Sequence, residues 1–249
     1  MRVASPFTLL LVITLFGCGE GGSFAPAANQ TLGGVWEGTD SDGTEIVVLS
    51  TDSGRFHWLA ETGDQGFGTG SVSGSAVTLN YTLVAPLDFT LFDGSASATC
   101  SGTGTIQERQ TLAVTVDCTT SLGGTLSTSA SLTYNSLFDR DSALSVIAGN
   151  YEDEGLVFNI NADGVIFEQD PIFGCVLGGK VTIIDPNFNA YDVSLSVSNC
   201  VGQASILNGS TFTGLAILDN TESPEVLFAG LTGTVAGVTF AIVFDVPRV

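Results

Sequence analysis

The sequence predicts an all-β fold, an antiparallel meander forming two tandem small β-barrel or sandwich domains, on three observations. Apolar and polar residues alternate with period two along most of the chain. Turn signals punctuate that alternation. Helix signals are scarce, and only 13% of residues are charged while Gly, Ser and Thr abound. Such a composition suits short strands joined by tight turns rather than a disordered chain. One continuous sheet-rich domain is the alternative.

In the first half, strands are expected at Thr44–Leu49, Arg55–Leu59, Ala76–Leu83 and Leu112–Val116. Asp42-Gly43 and Asp52-Ser53-Gly54 supply turns beside them. The segment 84–94 carries apolar and aromatic residues past a strand end, and Pro86 argues against a central strand there. Pro86, Leu87, Phe89 and Phe92 are the candidate ligand or partner loop at a barrel mouth. The plainer reading is a loop folding back over an open barrel end to complete the core. Asp141 to Ile147 is the single helix candidate, capped by Asp141 or Ser142 and ended by Gly149. Beyond it, strands are expected at Leu156–Ile160, Lys180–Ile184, Asp192–Val197 and Val238–Phe244, with a turn at Asp163-Gly164.

Strand and turn lengths suggest roughly eight strands per half. An internal echo supports the division: Leu32-Gly33-Gly34-Val35-Trp36-Glu37 matches Ile147-Ala148-Gly149-Asn150-Tyr151-Glu152, an aromatic falling two residues after the aligned glycine in each. The resulting partition is 1–17 signal peptide, 18–31 cysteine and flexible tether, 32–140 first β domain and 141–249 second β domain. The cysteines do not follow the echo, since Cys100 and Cys175 lie at different distances beyond the matched aromatics.

Arg2, the apolar run Phe7 to Phe16 and the small residue Gly17 before Cys18 form a secretory layout, with an apolar run too short to span a bilayer. Leu15-Phe16-Gly17-Cys18 resembles the bacterial lipobox, which implies that Cys18 is acylated and becomes the first mature residue. Gly19 after it implies the outer membrane, lipid-anchored, as the location. An ordinary signal peptide is the alternative. Residues 19–31 read as a tether that reaches roughly 40 to 45 Å when extended. Cys100, Cys118, Cys175 and Cys200 remain, an even number in an exported chain. The expected bridges are Cys100–Cys118 and Cys175–Cys200, because each pair brackets consecutive strands and the turns between them. A metal site fails on spacing, with no CxxC and a single histidine, His57.

Removing residues 1–17 takes away one Arg and no acid, leaving 5 basic and 26 acidic groups, a net charge of −21. Such acidity argues against nucleic-acid binding and against adhesion to anionic lipid by surface charge. His57 lies in an alternating strand, without a Gly-x-Ser-x-Gly elbow, and reads as a histidine at a sheet surface. Paired carboxylates are available at Glu152, Asp153 and Glu154 and at Asp40, Asp42 and Glu45, and Glu37 and Glu152 are the matched acids of the echo, but spacing alone does not place two acids face to face. Thr39 to Glu45 is similar to part of a calcium loop yet lacks the later ligands, so Asp42-Gly43 reads as a hairpin turn. No catalytic residue, metal or cofactor is expected.

The run Tyr134-Asn135-Ser136-Leu137-Phe138-Asp139-Arg140, with Gly174-Cys175, Val181 to Asp185, Tyr191-Asp192-Val193 and Asn199-Cys200, resembles segments of uncharacterised proteobacterial envelope lipoproteins. The resemblance implies a β-rich body on a lipid anchor and brings no catalytic residues. The expected role is non-enzymatic: binding or positioning another envelope component, or carrying a small apolar ligand in the manner of a lipocalin. A hydrolase using acidic residues is the remaining alternative. An interior filled by large apolar side chains favours a plain core; a cavity favours the carrier.

Overall fold

The computed structural model describes residues 30–86, 89–153, 156–169 and 174–249. The alternation resolves into two antiparallel meanders, each of eight strands among the described residues. The first comprises β1 (Gly34–Asp40), β2 (Glu45–Ser50), β3 (Arg55–Ala60), β4 (Gln65–Ser73), β5 (Ala76–Val84), β6 (Ser97–Gln107), β7 (Thr111–Thr120) and β8 (Thr125–Asn135). Pairing of β1 with β8, from Val35↔Asn135 to Asp40↔Ala130, closes it into a barrel. Closure gives both terminal strands a partner for their backbone N–H and C=O groups. Along β7 the pattern is strict: Leu112, Val114, Val116 and Cys118 are buried inside, and the residues between them are exposed.

The second meander comprises β9 (Gly149–Asp153), β10 (Leu156–Ile160), β11 (Val165–Gln169), β12 (Val176–Ile183), β13 (Tyr191–Ser198), β14 (Thr211–Asp219), β15 (Val226–Val235) and β16 (Val238–Pro247). It is a curled half-barrel whose edges approach at the bridge Tyr151↔Arg248, where Val249 N donates to Asn150 O at 2.9 Å. Arg248 ties that seam, donating from Nη1 to Glu225 Oε2 at 2.5 Å and from Nη2 to Tyr151 Oη at 3.1 Å.

Each strand expected from alternation lies on an observed strand, with Thr44 one residue before the start of β2 and Ile184 one residue past the end of β12. The turn glycines Gly43, Gly54 and Gly164 have φ of 89°, 85° and 77°, the left-handed region that a side chain disfavours. The helix expectation needs correcting. Helix α1 covers only Leu144–Ile147, is preceded by Ala143 with no side-chain cap, and ends at Ala148. Gly149 opens β9 instead of ending the helix, and Ser142 Oγ donates to Asp185 O at 3.0 Å rather than capping.

The echo has a structural counterpart. Gly34 opens β1 and Gly149 opens β9, and Trp36 and Tyr151 are both fully buried. Trp36 Nε1 donates to Leu32 O at 3.0 Å, and Tyr151 Oη donates to Ile147 O at 2.6 Å. In each meander an aromatic side chain reaches back to the carbonyl four residues earlier, at aligned positions.

Both bridges join the expected cysteines. Cys100 and Cys118 face each other across β6 and β7, whereas Cys175 and Cys200 tie the segments just before β12 and just after β13. The outer walls of the two meanders pack together through Val35 and Leu49 on one side and Leu215 and Ile217 on the other, with Phe138 and Ala190 between them. Fully buried Asn189 crosses this seam, donating from Nδ2 to Leu137 O at 3.1 Å and Leu218 O at 2.9 Å.

Candidate functional site

The two interiors differ. Large apolar side chains fill the half-barrel, leaving about 30 Å³ among Ile147, Phe158 and Leu231. The closed barrel encloses a cavity of about 400 Å³, within the range of small-molecule sites. Eight strands suffice to surround one small ligand.

Sequence creates that space locally. Three of the four inward positions of β4 are Gly66, Gly68 and Gly70, with Val72 the fourth, and the glycines are flanked by aromatic residues on β3 and β5. A Cβ on Gly66 would lie 1.9 Å from Trp58 Nε1, and one on Gly68 would lie 2.5 Å from Tyr81 Cβ. The bare β4 wall therefore lets Phe56, Trp58 and Tyr81 lean over it and pack edge to face, with Tyr81 5.7 Å from Phe56 and 6.0 Å from Trp58 between centroids. All three line the cavity.

Trp36 closes one end. Its Nε1 also donates to Ser50 Oγ at 3.1 Å, so this indole is fully satisfied. Trp58 Nε1 and Tyr81 Oη have no hydrogen-bond partner among the described residues, although both side chains line the cavity. Burial pushes the Tyr81 phenol above its ordinary pKa, so it is a protonated donor at neutral pH.

The other end is the mouth, framed by the β1–β2, β3–β4, β5–β6 and β7–β8 connections. Asp40, Asp42 and Asp64 stand on its lining beside Thr44 and Thr62. Asp40 Oδ1 accepts from the N–H groups of Asp42 and Thr44, both at 2.9 Å, so this carboxylate organises the hairpin turn.

The loop singled out from sequence lies across this mouth. Leu91 packs on the barrel core and Phe92 lines the cavity, while Phe89 and Phe92 remain 69% and 65% exposed. Pro86 follows the end of β5 and its ring lies against Gly63; Leu87 falls outside the described residues. Asp93 latches the loop to the β7–β8 turn, accepting from Thr120 Oγ1 and, at 3.2 Å, from Gly124 N. Hydrogen bonding from Ser95 above all, then from Thr120 and Gly124, holds its carboxyl down to about 2. Leu122, 71% exposed, completes an apolar rim with Phe89 and Phe92.

Cys18 also lies outside the described residues. Gln30 and Thr31, read as tether, are already docked: Gln30 N donates to Gly74 O at 3.2 Å and Thr31 Oγ1 to Glu108 Oε1 at 3.3 Å. Both contacts are at the closed end, opposite the mouth. His57 is on the outer wall, as expected from alternation, but it is not at a free surface. It is buried against β15, with Nε2 3.1 Å from Gln65 Oε1. Glu37 and Glu152 stand on separate meanders, Glu37 accepting from Asn135 Nδ2 at 2.9 Å. Among the described residues no three His, Cys, Asp or Glu side chains converge as a metal site.

The inward donors Trp58 and Tyr81, the Asp93 latch and the exposed Leu122 did not emerge from the sequence reading. The glycine alternation at Gly66, Gly68 and Gly70 was the available signal for the first two. The chain matches no protein-family model and no curated protein sequence.

Proposed function

We propose that this chain is a lipid-anchored bacterial envelope protein whose closed barrel carries a small apolar molecule, a binding role without catalysis. The observation that carries the reading is the 400 Å³ cavity. Water that enters through the mouth finds few polar partners along walls of Val48, Leu79, Leu83 and Val114, so displacing it with apolar surface is favourable. An apolar ligand covers those walls better.

The lipobox-like Cys18 and the two bridges support export and anchoring. An anchor at Cys18 would join the barrel at its closed end, leaving the apolar rim directed away from the attachment. Native mass spectrometry of the chain exported to an oxidising periplasm, with Cys18→Ser to remove the acylation site, tests the carrier. A reproducible extra mass that leaves on denaturation is expected. A bare mass, together with no binding of a neutral naphthylamine dye, refutes it. Anchoring is tested separately: if Cys18→Ser stays in the membrane fraction, acylation does not hold the protein there.

A further inference from the structure

We infer that the barrel selects an uncharged apolar molecule bearing a hydrogen-bond acceptor, such as an ester, lactone or ketone, and rejects fatty-acid-like anions. This deepens the carrier reading and rests on it.

Charge excludes the anion. The five basic side chains among the described residues are all engaged elsewhere: Arg55 with Asp192, Arg109 with Asp139, Arg140 and Arg248 with Glu225, and Lys180 with Asp163 O. The only histidine, His57, faces out of the barrel toward β15. None of these side chains lines the cavity, whereas Asp40, Asp42 and Asp64 stand at its mouth. A carboxylate entering would pass three acids and then lose its hydration with no cation to receive it.

Donors choose the acceptor. Trp58 Nε1–H can only donate, and Tyr81 Oη–H lacks an acceptor among the described residues. A hydrocarbon would displace water from both groups and offer them no acceptor; a carbonyl or ether oxygen near the Trp58–Tyr81 edge replaces the lost water bond of one or both. Trp36 is the internal contrast. Its indole, at the closed end, is satisfied by Leu32 O and Ser50 Oγ and offers a ligand nothing.

The test is displacement of N-phenyl-1-naphthylamine from the exported chain carrying Cys18→Ser, using methyl octanoate and octanoate at pH 7.5. The ester should displace the dye at a concentration at least tenfold lower than the anion. Tyr81→Phe and Trp58→Phe keep an aromatic ring in place. Each should weaken the ester about three- to tenfold, the worth of one neutral hydrogen bond, and leave the dye, which has no carbonyl acceptor, nearly unchanged. Octanoate binding as tightly as the ester, or dye and ester weakening together in both variants, overturns the ligand class while the carrier stands. Failure of the dye to bind, together with a bare mass in native mass spectrometry, overturns the carrier and this inference with it.

Discussion

His57 should make the contact between the two meanders sensitive to mild acid. It sits on β3 between inward-facing Phe56 and Trp58, so its ring points out of the closed barrel. There it lies so close to β15 that a Cβ on Gly230 would come within 2.6 Å of its Cγ and Cδ2. Desolvation lowers its pKa below the usual 6.5, opposed in part by the hydrogen bond to Gln65. The unfolded chain therefore takes up the proton first as pH falls. The stability linked to His57 is fully present above pH 6.5 and is lost below it, until the folded pKa is passed. One group can contribute a slope of at most about 1.4 kcal/mol per pH unit. Between pH 7.5 and 5.5 the loss should therefore be no more than about 1.5 kcal/mol from this residue. Urea unfolding followed by tryptophan fluorescence reads it, because both tryptophans, Trp36 and Trp58, belong to the closed barrel. His57→Gln should flatten the difference between the two pH values. If the variant keeps the wild-type drop, His57 is not its source. A double-mutant cycle checks the contact: Gly230→Ala should cost about 1–3 kcal/mol by overpacking, and His57→Ala should relieve part of that. Strict additivity would mean the two residues do not press on each other.

Further perturbations separate the parts of the molecule. Cys175→Ala with Cys200→Ala opens a bridge spanning 25 residues and should cost about 3 kcal/mol. Hydrogen exchange in β12 and β13 should report it, and an equal shift in the tryptophan midpoint would show the meanders unfolding as one unit. Tyr151→Phe strands the buried Ile147 carbonyl and removes one partner of Arg248, which keeps Glu225 and Val146 O, at a cost of about 1–3 kcal/mol. Faster exchange at Val249 N–H is the expected sign, and unchanged exchange would count against the seam. Asp93→Asn weakens the mouth latch and should speed chymotrypsin cleavage at Leu91 or Phe92 at neutral pH. In the wild type the carboxyl, held to about 2, keeps the latch above pH 4 and releases it only as pH nears 2. Cleavage no faster in the variant would remove Asp93 from that role.

The strands that alternation exposes are those whose inward positions carry Val, Leu, Ile or Phe, such as Leu112, Val114 and Val116 on β7. Strands β4, β6 and β8 lack that signal because Gly, Ser, Thr and Ala occupy many of their positions. The residues that hid these strands from a hydrophobicity reading also hollow the barrel. Gly66, Gly68 and Gly70 leave the wall bare where Trp58 and Tyr81 need room. Local bridges were legible because a meander sets consecutive strands side by side. The cover over His57 was not, since β15 lies far along the chain and Gly230 carries no side chain to announce the contact. The helix lies within the expected segment but starts later: Ser142 is held by Asp185 O and Pro186 O, one residue before the N-cap Ala143, and only tertiary structure reveals those contacts.

The cavity also sets stability against binding, which gives the carrier reading its hardest test. Ala130 on β8 faces inward opposite Val114 and lines the cavity. Ala130→Leu adds three carbons to a space that a ligand would otherwise occupy, worth about 2 kcal/mol of apolar burial if the room is real. A plain core packed at native density would instead lose about 1–3 kcal/mol to overpacking. The sign of the change in the tryptophan-reported midpoint therefore distinguishes a void from a filled core without knowledge of the ligand. Stabilisation accompanied by at least tenfold weaker dye binding identifies the void as the binding site. Stabilisation with binding intact would place the ligand elsewhere, and destabilisation would show that the closed barrel has no space to fill.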